Sequence, residues 1–404
     1  MLSDQAVDLL FRDPVAIHLA STLKGWLFVG VTALLLYSLI ERPLGKRAAL
    51  SSMPDVRLRS LLFPLIFVIF LIVALTASVV AQTFKHHQEK EVARLQAIAD
   101  LKSQQIADWL RERQKDAHFL QTSKVMSERY RRWIAAGDPK ISTEIRSRLQ
   151  HFLEKDAFRS IFFLDEPREI LSSSEINAEG APLAIAPLLR TAARQVTTTQ
   201  KPIQLGPYRD ATGRLNLDFV TFLPAFGGTP GPIVVLRVNP SDYLYPTLQS
   251  WPVPTRSGET LLFRRDGDQV LFLNELRQLQ DTAAKLRVPI DTEKLLAAQL
   301  LRGEVREGAM LEGVDYRNVP AMGVARTVPG TDWFLMAKLD REEVFAEAVH
   351  DSLWICLSGA LAIFMATIAA FLLHQRRHLL ASLRERETQA DKLRSMQLLS
   401  LIHI

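Results

Sequence analysis

Cysteine is almost missing from this 404-residue chain. Its one thiol, Cys356, lies inside an apolar run, so no disulfide can form within the chain and any large domain must be held by its own core. Enzyme signatures are missing too. There is no H-E-x-x-H, P-loop, G-x-S-x-G or cysteine cluster, so nothing here supports a zinc protease, a P-loop nucleotide hydrolase or an α/β-hydrolase. The chain carries no catalytic domain that its sequence reveals, and no cofactor or metal site is implied. His86 and His87 are adjacent, but neighbours on a helix point about 100° apart and chelate poorly. Nor is there a basic stripe interleaved with aromatics. The net charge of +5, from 49 basic and 44 acidic residues, is therefore no nucleic-acid footprint.

What the chain has is three long apolar blocks. They are the run ending "GWLFVGVTALLLYSLI" (24–40), "SLLFPLIFVIFLIVALTASVVAQTF" (60–84) and "SLWICLSGALAIFMATIAAFLLH" (352–374). A bilayer takes about 20 residues of helix, so these are read as three transmembrane helices. Charge orients them. The loop 41–59 carries Arg42, Lys46, Arg47, Arg57 and Arg59, and Arg376 and Arg377 follow the third block. Asp340, Glu342, Glu343, Glu347 and Asp351 precede that block. The positive-inside rule then places the segment 1–23 and residues 85–350 outside, with the loop and the tail in the cytoplasm. Arg57, Arg59 and "VVA" at 79–81 imitate a signal peptide, but this block starts sixty residues in, behind another apolar run.

Residues 85–123 contain neither Pro nor Gly. Val92, Leu95, Ala99, Ile106, Trp109 and Leu120 fall on one helical stripe, predicting a long extracytoplasmic helix over 85–125 interrupted by Lys102, Arg113 and Asp116. Strand and helix signals then follow in an order that occurs twice. "FRSIFFLDEPREILSS" reads as a hairpin, "APLLRTAARQV" as a helix, "LNLDFVTFLPAFGGTPGPIVVLRV" as two strands around a turn, and "NPSDYLYPTL" as a helix capped by Asn239 or Ser241. The order restarts with "TLLFRRDGDQVLFL", a hairpin on Asp266-Gly267. Helical "DTEKLLAAQLL" follows, then "NVPAMGVARTVPGTDWFLMAKL" and a helix "DREEVFAEAV" capped by Asp340. The fold class expected is α+β: two related modules, 126–250 and 251–350, each an antiparallel sheet flanked by helices.

A long helix after an apolar span, two such modules, and "VPGTDWFLMAKLDREEVF" running into another span resemble the double Cache (dCache) extracytoplasmic regions of bacterial sensor proteins, built from PAS-like modules. The most specific pieces are "LKSQQIADWLRER" (101–113), "SGETLLFRRDGDQVLFLNELR" (257–277) and "GVDYRNVPAMGVARTVPGTDWFLMAKLD" (313–340). The resemblance implies a multi-pass protein of the bacterial plasma membrane, its large domain periplasmic or extracellular. It further implies a small-molecule ligand in the membrane-distal module, a homodimer, and a signal relayed to a cytoplasmic output. That output would be a histidine kinase first, and a diguanylate cyclase or phosphodiesterase second. A protein-interaction module without a ligand is the third reading. Nucleic acid is not an expected partner.

After the third block, "QRRHLLASLRERETQADKLRSMQLL" is free of Gly and Pro, with Leu379, Leu383, Ala390 and Leu393 near heptad positions. This reads as a signalling helix over 375–398 that pairs with a partner chain. No HAMP-like proline-containing helix follows the span. "LSLIHI" (399–404) breaks the heptads and is the translation of the sequencing-library transposon end CTGTCTCTTATACACATC, so it is read as a cloning or assembly scar. Candidate ligand contacts come from "LGPYRDATGRLNLDFVTF". Tyr208 and Arg209 stand before a strand whose apolar run is interrupted by Asp218 and Thr221. A buried carboxylate and hydroxyl need partners, which a small polar ligand or an internal salt bridge can supply. Arg209 could hold a ligand carboxylate with two parallel hydrogen bonds.

Overall fold

The computed structural model describes residues 59–136, 158–164, 187–228 and 230–402, with positions 140, 144, 145 and 147. The first apolar block, the loop 41–58 and the second run of the first hairpin lie outside the described residues. The chain divides into two compact units, one of residues 1–85 with 348–404 and one of 86–347.

In the first unit the described chain consists of parts of two helices. α1 spans Arg59–Thr122 and α6 spans Arg341–Ile402. Each is long and apolar enough to cross a membrane, and the apolar side chains of those stretches are exposed, Phe63, Phe70, Leu353 and Phe364 among them. The two helices touch where Gly359 faces Thr76; a Cβ on Gly359 would lie 2.7 Å from the Thr76 Oγ1. Small residues allow this close approach between apolar helices. The expected boundaries at 60–84 and 352–374 are thus not helix ends. Nothing in the sequence from 65 to 122 breaks the helix, so apolar stretch and stripe form one element.

The second unit begins on the rest of α1. Leu95, Ile98, Ala99, Ile106, Ala107, Leu110, Ala117 and Leu120 are buried at spacings of three and four. Lys102 and Arg113 lie buried on this same face rather than interrupting it. The Lys102 ammonium donates to the Thr247 carbonyl and to Ser250 Oγ, and burial pulls its pKa down to about 8. Arg113 lies 5.4 Å over the Phe158 ring. α1 stops at Ser123, whose hydroxyl accepts from the Met126 N–H and starts α2 (Lys124–Ala136).

A four-stranded antiparallel sheet packs on α1 and α2. Its strands are β1 (Ser160–Leu164), β2 (Ile203–Arg209), β3 (Leu215–Phe222) and β4 (Ile233–Val238), in the order β1-β4-β3-β2. One face, with Phe163, Leu217, Phe219, Val234 and Leu236, joins the α1 core, where Phe163 stacks on Tyr130. The other face, with Phe162, Val220 and Val235, packs on Leu189, Ala192 and Val196 of α3 (Pro187–Thr199). The helix expected after β4 is short, α4 (Leu244–Gln249), and no side chain caps it. Asn239 closes a turn instead, accepting from the Ser241 N–H and donating to Asp242.

A six-stranded antiparallel sheet follows. It contains β5 (Glu259–Asp266), β6 (Gln269–Phe272), β7 (Arg287–Pro289), β8 (Met310–Val314), β9 (Pro320–Thr327) and β10 (Trp333–Asp340), in the order β7-β6-β5-β10-β9-β8. The Asp266-Gly267 hairpin forms as expected, Gly267 supplying the positive φ of +61° that its turn requires. One face joins the α1 core through Leu262, Trp333, Leu335 and Leu339. The other packs under α5 (Leu296–Leu301). Strands β2, β7 and β8 carry no clear alternation and were not anticipated. With β6 and β7 set aside, β5-β10-β9-β8 repeats the order β1-β4-β3-β2. The Asp340 carboxylate, expected to cap the following helix, binds Arg317 and Lys338.

Candidate functional site

Asp218 lies in β3, an inner strand of the four-stranded sheet, and is fully buried. The antiparallel register sets it opposite Arg237 of β4, which is in turn opposite Ser160 of β1. Residues directly opposite share a face, so these three form one row across the sheet on the side covered by α3. Arg237 Nε donates to Asp218 Oδ1 at 2.8 Å and Nη2 to Oδ2 at 2.9 Å, a two-pronged pair. The guanidinium also lies 4.9 Å over the Phe162 ring.

Tyr208 completes the network. Its hydroxyl donates to Asp218 Oδ2 at 2.5 Å and accepts from Arg237 Nη2 at 2.9 Å. Sheet alternation alone would not bring it there. Leu205 opposes Asp218 while Tyr208 opposes Asn216, so β2 spends three steps where β3 spends two. This one-residue bulge turns Tyr208 onto the Asp218 face. Gly206 makes the bulge possible: its φ is +103°, and a Cβ there would lie 2.7 Å from the Asn216 carbonyl. Burial, and next the Asp218 charge, push the Tyr208 phenol well above its ordinary pKa, so it stays a donor. Ser160 Oγ is buried with no hydrogen-bond partner among the described residues, next to Arg237 in the row.

Of the four residues singled out from sequence, the structure brings Tyr208 and Asp218 together. Arg209 is elsewhere: it donates to the Ala283 carbonyl at 2.8 Å and pairs with Glu275 and Asp281, tying β2 to the loop after β6. Thr221, three residues from Asp218, is on the opposite face of β3, toward α1, where its hydroxyl has no partner among the described residues. Sequence reasoning missed Arg237. The signal was present, since "IVVLRV" is an apolar run broken by one cation just as Asp218 breaks its own. Which cation meets the carboxylate depends on register. Among the described residues no group of His, Cys, Asp and Glu could hold a metal. Two clefts, of 670 Å³ and 440 Å³, are lined by none of Asp218, Arg237, Tyr208 and Ser160, although the smaller one reaches Leu205 and Gly206 on β2.

Neither protein-family models nor curated proteins match this chain. Solved structures do. The chain is similar to chemoreceptor sensor domains. The sensory domain of the Campylobacter jejuni chemoreceptor Tlp3 with isoleucine bound is 12% identical, with a TM-score of 0.47, over 65% of this chain and 97% of that one. The ligand-binding domain of the Pseudomonas aeruginosa amino-acid chemoreceptor PctB with L-Arg is 16% identical, with a TM-score of 0.44, over 64% and 98%. The ligand-binding domain of Mlp24 with asparagine is 15% identical, with a TM-score of 0.43, over 67% and 98%. Likenesses this distant carry no weight for what this chain binds.

Proposed function

We propose that this chain is the input half of a membrane-anchored signalling protein of the dCache type. In this reading three helices, 24–40, 60–84 and 352–374, anchor it in a bacterial plasma membrane. Residues 86–347 are an extracytoplasmic pair of PAS-like modules, and residues 375–398 carry the signal to a cytoplasmic output, a histidine kinase by preference, within a homodimer. One observation carries the reading. A two-sheet α+β unit is entered by one helix and left by another, and each of those helices also contains a membrane-length apolar stretch. α6 starts directly on β10, so a shift of that strand acts on the first turn of the exit helix.

Glu343 in the first turn of α6 strengthens this connection. Its carboxylate accepts from the Thr255 hydroxyl, the Arg256 and Ser257 N–H groups and the Ser257 hydroxyl, which fasten the segment between the sheets to the exit helix. Burial opposes its ionisation, yet these hydrogen bonds outweigh burial and hold the carboxyl down at about 2.

The ligand proposed is a small polar molecule on the α3 face of the four-stranded sheet, at Asp218, Tyr208 and Arg237, with the Ser160 hydroxyl as the group left to satisfy. Arg209 serves to join the modules and Thr221 to back α1. The test is a thermal-shift screen of polar metabolites on the full chain in nanodiscs, repeated with Tyr208→Phe and Ser160→Ala. The reading expects at least one compound that raises the Tm by mass action and loses its effect in these variants. A screen in which no compound acts, or in which every active compound acts equally on the variants, removes the first-sheet site. It would favour the protein-interaction reading, which draws on the internal satisfaction of Asp218.

A further inference from the structure

The 670 Å³ cleft is in another part of the second unit, between α4, the segment 251–258, the start of β5 and the loop after β6. Its volume is in the range of small-molecule sites, about 300 to 1,000 Å³. Two observations distinguish it from a surface hollow. Thr260 lines it, is only 2% exposed, and its hydroxyl has no hydrogen-bond partner among the described residues. Trp251 lines it too, and its buried indole N–H likewise has no partner among the described residues. A buried polar group without a hydrogen-bond partner is destabilising, so two in one cleft call for an explanation.

The charges decide what would satisfy them. Three carboxylates line the cleft and each is occupied: Glu259 by Tyr316 and Lys338, Glu275 by Arg209 and Thr282, and Asp281 by Arg209 and Lys285. Arg277 differs. Its Nη1 donates to the Thr255 and Gly258 carbonyls at 3.3 and 3.0 Å, which aims the guanidinium, but it has no ion pair among the described residues. The spare valence of the cleft is therefore a cation, an indole N–H and a hydroxyl, a donor set that calls for acceptors. Leu248, Val253 and Pro254 add an apolar wall.

We propose that this cleft binds a small monocarboxylate with an apolar body, its carboxylate on Arg277 and its acceptors shared with the Trp251 N–H and the Thr260 hydroxyl. A second carboxylate on the ligand would face Glu259, Glu275 and Asp281 and be repelled. The site would also be regulatory. Thr255, in the cleft wall, and its neighbours Arg256 and Ser257 are the residues that hold Glu343, so occupancy bears on the base of the exit helix. This inference is independent of the first-sheet ligand proposed above.

The experiment uses the full chain in nanodiscs and titrates acetate, isovalerate, phenylacetate, the neutral isostere phenylacetamide and the dicarboxylate succinate, reading Tm and tryptophan fluorescence. Isovalerate or phenylacetate should raise the Tm at millimolar concentration, and phenylacetamide and succinate should not. Arg277→Gln should weaken binding roughly tenfold or more, as loss of a charge-assisted hydrogen bond does. Trp251→Phe and Thr260→Val should each weaken it severalfold, and both remain informative if Arg277→Gln fails to fold. Thr221→Val, on the α1 face of the other sheet, should leave the response unchanged. No response to any monocarboxylate overturns the proposal. So does a response that survives both Arg277→Gln and Thr260→Val, or one that is lost in Thr221→Val.

Discussion

The two sheets present a cation at the same place and satisfy it differently. Arg237 is one residue from the end of β4 and opposes Ser160, the first residue of β1. Lys338 is two residues from the end of β10 and opposes Glu259, the first residue of β5. Both face away from α1. Among the described residues Arg237 meets the carboxylate of Asp218 and the hydroxyl of Tyr208, beside a serine hydroxyl with no partner there. Fully buried Lys338 has Asp315 at 2.9 Å, Asp340 at 3.0 Å and Glu259 at 3.6 Å, with Arg317 bridging Asp315 and Asp340. At Asp315 burial opposes the charge, but hydrogen bonds from Arg317 and Lys338 outweigh it and keep the carboxyl below its ordinary range. Here Tyr316 donates to Glu259. The second sheet closes this position with its own side chains. The first leaves one polar group unsatisfied.

This contrast can be broken most forcefully at the lysine. Lys338→Met leaves three carboxylates around a vacated buried charge, and removal of one partner from a buried pair costs about 3 to 5 kcal/mol. Among the described residues Arg237→Met strands one carboxylate, Asp218, against three at Lys338, so denaturant unfolding of the full chain should show the larger loss for Lys338→Met. Equal losses would refute the difference between the sheets. The double variant Asp218→Leu with Arg237→Met should recover much of the Arg237→Met loss, since a buried pair replaced by apolar groups is often close to neutral.

Next in size is Gly206→Ala, which puts a side chain against the Asn216 carbonyl at a positive φ. It should cost about 1 to 3 kcal/mol and turn Tyr208 from Asp218. A wild-type melting temperature would show that the bulge does not depend on glycine.

Glu343→Gln should cost about 1 to 2 kcal/mol at neutral pH, from weakened charge-assisted hydrogen bonds. Its acid dependence has a definite sign. A carboxyl at about 2 when folded and about 4.3 when unfolded adds stability that is complete above about pH 4.5 and disappears as pH falls toward 2. The wild type minus variant difference, measured by melts over that window, should shrink with acid. A constant difference would mean that the carboxylate is not held as described.

The smallest effects are at the orphan hydroxyls. Thr221→Val should be neutral or slightly stabilising in melts, since it removes a buried hydroxyl that makes no hydrogen bond among the described residues. Ser160→Ala should be equally mild without ligand. A loss of more than about 1 kcal/mol in either would reveal a partner for that hydroxyl.

Much of this was legible beforehand. The β3 and β4 pair, the β9 and β10 pair and the Asp266-Gly267 hairpin are short apolar or alternating runs closed by turn residues, and local chemistry is enough to find them. β2 was not, because "IQLGPYR" holds Gly206-Pro207 in its middle and its register slips there. β8 depends on its neighbour β9 rather than on any pattern of its own. Lys102 and Arg113 read as interruptions of a stripe. They are part of it, because a carbonyl and a hydroxyl near the end of α4 serve one of these charges and a phenyl ring the other.

By itself the sequence determined the membrane-length apolar helices, the α+β class and the presence of a carboxylate in a buried strand, since each follows from composition or period along the chain. Only tertiary structure decided that Asp218 meets Arg237 rather than Arg209, that Tyr208 joins them and that Thr221 does not. Those outcomes rest on strand register and on one bulged residue, and pairing across strands is a long-range choice that no local pattern encodes.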